Sequence, residues 1–485
     1  MPFPFVLPTT SSFSFSACYT CESHPSLPLT ASTYRGVVRD ELKKHKRLPP
    51  SSQSPHVASV ISALTSYVPY VLAIDDGLAD RSKEVRVCPK TDPSIEWRPT
   101  MSESAVPGRE IARVKVQTLE QELTFALSTL AQAQTLLARS VLHPLYVTTA
   151  AVPSAQDRIT AVQTANKYLL DAASIYDYLA TRAETSPINA RYPPPCADVS
   201  APVLRGLSSL SHAEANLLAV LKDDPYPGIV AQSRNSTDKE YLYKAPDVPK
   251  VRAAIFARLC LAAADHAAKA SSLCSARTSN GSKVEESLLR YLEDTRRTAK
   301  ARACRFFGID AELGGETGKA LAWLRAGLQE LGVDLAARDT AASGSKKGAF
   351  GRLKKDWAEK REDRRVEKET AWGADGGRLE EMRVIEYLEA KWEKFNNLVD
   401  TQIIPPTGPL LAQMPSGRDL QPIRPYEPPQ LDRSVLEAAR APPEHPDDVV
   451  YESSDDETKV GQSSRDPVGA YPGSRQEYNS TPGYY

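Results

Sequence analysis

Apolar residues recur along much of this chain at helical spacing. Leu119, Leu123, Leu127, Leu130, Leu137 and Val141 follow one another in steps of three, four and seven. That pattern lays one stripe along a helix of about 25 residues. A second helix is expected from Ser154, with Asp157 three residues on as a capping-box match, running through TAVQTANKYLLDAASIYDYLATRA. Further helical blocks are expected over 203–222, 248–276 and 284–307, and a last one, ETGKALAWLRAGLQEL, over 316–331. Alanine is frequent in these blocks, and small side chains let helices pack closely in layers. No strict 34-residue period is present, so the middle of the chain reads as TPR-like rather than as a TPR array.

The two ends read differently. Residues 1–35 mix Phe, Ser and Thr with prolines, which predicts short strands or an extended arm. From Tyr34 the segment YRGVVRDELKKHKRL is helix-prone, PPSSQSP reads as a loop, and VASVISALTSYV resumes helical spacing. Short β segments are expected at VRVCP and SIEWRPT, where β-branched and aromatic residues sit between breakers. Further on, DTAASGSKKGAFG reads as a loop and the charged helix over 352–370 as a solvated surface element. RLEEMRVIEYLEAKWEKFNNLVD should dock back on the body. From Thr401 onward 14 of the chain's 38 prolines fall within 85 residues, and beyond about residue 420 apolar periodicity is lost. The expected organisation is a folded part over 1–420 and a disordered Pro/Ser/acidic tail over 421–485.

Charge and composition then narrow the function. The 485 residues carry 60 Lys plus Arg against 61 Asp plus Glu, a formal charge of -1. No global field favours nucleic acid or an anionic membrane, so neither is expected as a direct partner. A chain of this length exceeds the size at which one globular core stops growing, near 250 to 300 residues, but a layered helical array escapes that limit. The N-terminus has no basic region before its apolar residues, and no run of about 18 uncharged apolar residues is expected to cross a bilayer. Seven cysteines, an odd number, suit a reducing compartment.

Candidate chemistry is sparse. Cys18 and Cys21 form CYTC, but no second CxxC or nearby His completes a zinc site, so no metal is expected. No HExxH or nucleophile motif is present. GGETGKA lacks the first glycine of a phosphate loop, where Leu313 stands, and its Mg-binding hydroxyl, where Ala320 stands. It reads as a helix start. No enzymatic activity and no cofactor are expected.

Several stretches, taken in order, carry a family likeness: PFPFVLPTTSSFSF, AVQTANKYLLDAASIYDYL, LSSLSHAEANLLAVLK and GETGKALAWLRAGL. Over roughly residues 1–420 the chain resembles the Bro-type domain of Alix-like endosomal adaptors, and more closely the fungal pH-response regulators of that type. The resemblance implies a mostly α, bent helical domain with a TPR-like middle and a small N-terminal β-sheet. It also implies a hydrophobic patch that binds the C-terminal amphipathic helix of an ESCRT-III filament subunit.

The helix VRAAIFARLCLAAADHAAKA bears on that patch. Steps of 100 degrees put Phe256, Cys260, Ala264 and Ala267 on one face and Arg258, Asp265 and Lys269 on another, with Ile255, Leu259 and Ala262 on the shoulder between. Pattern alone leaves the shoulder open to either core packing or half exposure. Ile255 and Leu259 match the family's patch, whose third member falls at Leu217, where Alix-like proteins carry an aromatic residue. The long coiled-coil region that follows the Bro-type part of those adaptors is not expected here.

By the same resemblance the chain is expected to be a non-enzymatic adaptor of ambient-pH signalling. It would meet components of a pH-sensing complex, associate with membranes through partners, and work in the cytoplasm with recruitment to cortical plasma-membrane or endosomal sites. Other proteins would carry out the proteolysis that activates a pH-responsive transcription factor. A generic TPR-like scaffold acting through another surface is the alternative. In the tail, Ser453 and Ser454 precede acidic residues and are candidate phosphoacceptors.

Overall fold

The computed structural model describes residues 1–104, 110–147, 154–233, 252–276, 281–335 and 372–441, with a few positions between 357 and 368. The chain separates into Met1–Ala441 and Pro442–Tyr485. Ser453, Ser454 and the expected tail from residue 442 onward lie outside the described residues, as does GSKKGAFG.

The N-terminal part holds two small antiparallel sheets. β1 (Thr9–Thr10) pairs with β4 (Ile95–Arg98), which pairs with β5 (Val114–Val116); β2 (Tyr19–Cys21) pairs with β3 (Val87–Pro89). The β segments read from VRVCP and SIEWRPT are thus present. Around them run α1 (Phe15–Cys18), α2 (Leu27–Arg47), α3 (Pro50–Leu78) and α4 (Leu119–Leu142). One buried carboxylate ties this part together. Glu122 of α4 accepts from Arg35 Nε of α2 at 2.8 Å, Tyr67 Oη of α3 at 2.9 Å and Trp97 Nε1 of β4 at 2.5 Å. A buried charge is tolerated only when its lone pairs are satisfied in this way. Trp97, fully buried, stacks on Phe125 of α4 with ring centroids 5.0 Å apart.

α3 departs from expectation twice. PSSQSP is helical, because Pro50 occupies the first helical turn, where its missing N–H costs no hydrogen bond. Val57 to Ile74 also runs without a charged residue, so by length and composition this helix could cross a membrane. Its position argues for a core helix. Val60, Leu64, Tyr67, Val68, Val71 and Ile74 are fully buried, in the cluster that includes residues of α2 and α4.

The middle is a helical array formed by α5 (Ala155–Thr185), α6 (Ile188–Arg191), α7 (Ala201–Leu221), α8 (Tyr226–Ser233), α9 (Ala253–Ser275), α10 (Glu286–Leu313) and α11 (Thr317–Glu330). The long helices pack each on the next, from α4 through α5, α7, α9 and α10 to α11. The expected cap is present at α5, where Ser154 Oγ accepts from the Asp157 N–H at 3.1 Å. Alanines line the α9 and α10 contact, with Ala257, Ala263, Ala267, Ala299 and Ala303 all fully buried.

α12 (Arg378–Phe395) docks back on α10 and α11 as expected. The clamp is a buried ion network. Glu381 of α12 accepts from Arg305 Nε at 2.6 Å and Arg302 Nε at 2.9 Å, both on α10. After α13 (Thr407–Ala412) the chain does not leave the body at residue 420. A strap over residues 413–424 crosses α9, Tyr426 packs on Tyr178 of α5, and α14 (Arg433–Ala439) sets Val435 and Leu436 against the N-terminal core. Residues 421–441 are therefore packed on the folded part rather than extending away from it. Few, widely spaced anchors hold this segment, which is why helical periodicity did not reveal it.

Candidate functional site

An open groove of about 1260 Å³ lies between α5, the end of α7, the start of α9 and the strap. Its apolar lining comes from Ile159, Val162 and Leu170 of α5, Ile255, Phe256 and Leu259 of α9, and Leu420 of the strap. Ile255 is 42% exposed and Leu420 52% exposed, so the groove presents apolar surface to solvent. Its rim carries Arg158, Lys167, Lys222, Arg252 and Arg424 against Asp171 and Asp223, an excess of positive charge, with buried Asp224 in the wall. Burial raises the pKa of Asp171, opposed by Lys167 and Arg424.

Local chemistry holds the walls. Arg158 Nη2 donates to the Leu221 and Asp224 carbonyls at 3.2 and 3.0 Å, joining α5 to the turn that ends α7. Asn166 Nδ2 donates to the Ala215 carbonyl at 3.1 Å. Asp224 is then fixed from behind by Arg305, through Nη2 to Oδ2 at 2.6 Å and Nη1 to Oδ1 at 3.2 Å. Burial works to lower the Arg305 pKa, but Asp224 and Glu381 outweigh it and hold the guanidinium above its ordinary value.

The three residues singled out from the sequence are placed differently from one another. Ile255 stands exposed in the groove. Leu259 lines the groove too but is only 3% exposed, packed in the core cluster of α9, α10 and α11. Beside it, at Ala262, the shoulder expected to be half exposed is occupied by the chain itself. The Arg418 N–H donates to the Arg258 carbonyl at 3.0 Å, Arg258 Nε donates to the Ser416 carbonyl at 3.2 Å, and Gly417 lies against the backbone of Ala262. Leu217 is buried and lines a narrow crevice with Met1, Glu214 and Arg302 instead of the groove. The structure brings Ile255 and Leu259 together and leaves Leu217 apart. Sequence reasoning missed Ile159, Leu170 and Leu420, which helical periodicity marks only as apolar, without saying which space they face.

The strap is fastened beside the groove by a polar cluster. His212 Nε2 of α7 donates to the Gln421 carbonyl at 2.9 Å and His266 Nε2 of α9 donates to Asp419 Oδ1 at 2.8 Å. Asn216 Nδ2 donates to the same oxygen at 2.9 Å. Burial and the neighbouring His266 lower the pKa of His212. For Asp419, burial acts upward, but the hydrogen bonds from His266 and Asn216 prevail and hold it below the usual carboxylate value.

Comparison with known proteins gives a consistent picture. The chain is 39% identical over 511 aligned positions to the pH-response regulator protein palC of Emericella nidulans, covering 98% of this chain and 99% of that protein. Among solved structures it is similar to ALIX in complex with the SIVmac239 PYKEVTEDL late domain, with a TM-score of 0.54, 14% identity and 91% of this chain covered. The match spans about half, 51%, of that ALIX chain. It is also similar to the ALIX Bro1 domain in its complex with CHMP4C, with a TM-score of 0.50, 14% identity, and 88% of this chain and 95% of that one covered. No protein-family profile matches. At such identities the two structures speak to the fold, which is that of a Bro1 domain.

Proposed function

Because this chain belongs to the family of the pH-response regulator palC, we propose that it is a non-enzymatic adaptor of alkaline-pH signalling that docks the C-terminal amphipathic helix of an ESCRT-III filament subunit in the α5–α7–α9 groove. The observation that carries this reading is Ile255, a large apolar side chain 42% exposed over an apolar groove with a predominantly basic rim. An amphipathic helix fits such a groove by inserting its apolar face, and acidic residues beside that face would meet the basic rim. The Bro1 domain of ALIX in complex with CHMP4C has the same fold, which supports this partner class. Ile255 is the anchor that a partner covers, Leu259 forms the floor beneath it, and Leu217 supports α7 from inside. Recruited from the cytoplasm to cortical or endosomal sites through its partners, the protein would join the pH-sensing complex to ESCRT-III. Proteolytic activation of the transcription factor is carried out by other proteins.

The test is titration of a labelled ESCRT-III C-terminal helix into the full chain and into Ile255→Asp. Docking would bury the remaining exposed part of Ile255, worth roughly 1 kcal/mol, and would force the new carboxylate out of water, worth about 1 to 3 kcal/mol. The affinity should fall at least about tenfold, while circular dichroism and the thermal midpoint change little. If Ile255→Asp and Leu420→Asp both bind as tightly as the native chain, the groove is not the docking site. Charge reversal over 352–370 then tests the alternative of a generic scaffold acting through that segment.

A further inference from the structure

We propose that His212, His266 and Asp419 form a site for a divalent transition-metal ion of the zinc class, completed by the main-chain carbonyl of Gln421. One ligand atom from each of the three side chains lies within 4.8 Å of the others. His266 Nε2 is 2.8 Å and His212 Nε2 3.9 Å from Asp419 Oδ1, and His212 Nε2 is 2.9 Å from the Gln421 carbonyl. A tetrahedral zinc ion with bonds of about 2.0 to 2.2 Å spaces its ligands about 3.3 Å apart, so small movements of these groups suffice. Two imidazoles and a carboxylate select zinc, cobalt or nickel over calcium or magnesium, which take all-oxygen shells.

The surroundings have the character of a ligand shell. His212 is buried and the two rings face each other with centroids 4.4 Å apart. Asn216 orients the carboxylate by donating to Oδ1 at 2.9 Å and accepts from the Leu420 N–H at 3.3 Å. Such outer contacts fix ligands in place and raise affinity. In the hydrogen-bond network both Nε2 atoms act as donors. To coordinate, each neutral imidazole carries its single proton on Nδ1 and offers the Nε2 lone pair, so no proton or electron is gained or lost by the rings.

The consequence is mechanical. The ligands come from α7, α9 and the strap, so a bound ion would staple residues 419–421 to two helices. Leu420 and Gln421 wall the groove, and the ion would therefore set how firmly that wall is held. The metal site does not depend on the identity of any docking partner.

The experiment is titration of chelator-treated full-length protein with Zn²⁺ by calorimetry and with Co²⁺ by visible absorption, alongside His266→Gln, the His212→Gln/His266→Gln pair and Asn216→Ala. One equivalent should bind to the native chain, with cobalt bands of low-symmetry nitrogen and oxygen coordination. Affinity should fall tenfold or more in Asn216→Ala and further in the histidine variants. Zn²⁺ should slow amide exchange over the strap in the native chain and not in His266→Gln. His266 is partly exposed, which makes its variant safe for folding. The proposal is overturned if native protein binds no ion, or if His266→Gln binds with unchanged stoichiometry and affinity, which would assign the ion elsewhere, such as to exposed Cys88.

Discussion

Removing the Arg305 guanidinium should be among the most damaging single changes in the described fold. Arg305 is fully buried on α10, with one side of its guanidinium on Asp224 and the other on Glu381, and both carboxylates are also buried. Arg305→Met keeps most of the aliphatic volume but leaves Asp224 without its cation, since Glu381 alone retains Arg302. Breaking a buried pair from one side costs about 3 to 5 kcal/mol because the stranded charge is not rehydrated. Loss of the guanidinium over the Phe306 ring, 4.5 Å from its centroid, adds up to about 1 kcal/mol. Urea unfolding should show a loss of this size. In Arg305→Met with Asp224→Asn, which removes the stranded charge but keeps an acceptor for the Tyr226 N–H at 3.2 Å, stability should recover by about 2 kcal/mol or more relative to the single variant. Because Asp224 also walls the groove, peptide affinity should fall with Arg305→Met and return in part with the double variant. A loss below about 1 kcal/mol, or strict additivity of the two changes, would refute the reasoning, since a solvated network gives that result.

Two other outcomes are expected. His45 is buried near His56, and burial first, with the neighbouring ring second, pushes its pKa from 6.5 down to about 4. The unfolded chain therefore takes up the proton first, and stability present above pH 6.5 is lost as pH falls towards 4, by about 1 to 3 kcal/mol. His45→Gln should flatten that part of a pH-resolved unfolding series, and an unchanged slope would remove His45 as its cause. A Cβ on Gly417 would collide with the backbone of Ala262, so Gly417→Ala should lift the strap, cost about 1 to 3 kcal/mol and strip the Arg418 amide of its exchange protection. Preserved protection would mean that the strap yields without detaching.

How much of this was legible depends on how local the cause was. The leucine stripe of α4 and the Ser154 cap of α5 are written in residues three and four apart, and both stand where periodicity put them. The strands at Val87–Pro89 and Ile95–Arg98 likewise follow from β-branched and aromatic residues between breakers. Leu259 shows the limit. Periodicity placed it on a shoulder of α9, but whether a shoulder residue faces water depends on what packs against it, here the core cluster for Leu259 and, for neighbouring Ala262, a segment far along the chain. That segment is rich in proline and poor in period, so it read as the approach to a tail. α3 fails for a related reason: an uncharged helix of this length suits a core or a bilayer equally, and only its neighbours decide.

The same argument explains why no metal site was expected from spacing and why one can nonetheless be proposed. Local motifs such as paired cysteines place ligands within one turn or loop, whereas His212, His266 and Asp419 are 54 and 153 residues apart in sequence. They meet because α7 and α9 pack side by side and the strap crosses beside them. The groove is built by the same meeting, with Ile255 on α9 and Leu420 on the strap. Site and strap are thus one construction, in which the segment that lies against Ala262 also positions Asp419. A chain cut before residue 413 would consequently lose more than a wall of the groove. Ala262 would lose the strap that lies against it, the histidine pair would lose its carboxylate, and the apolar surface offered to a partner would be larger but less defined.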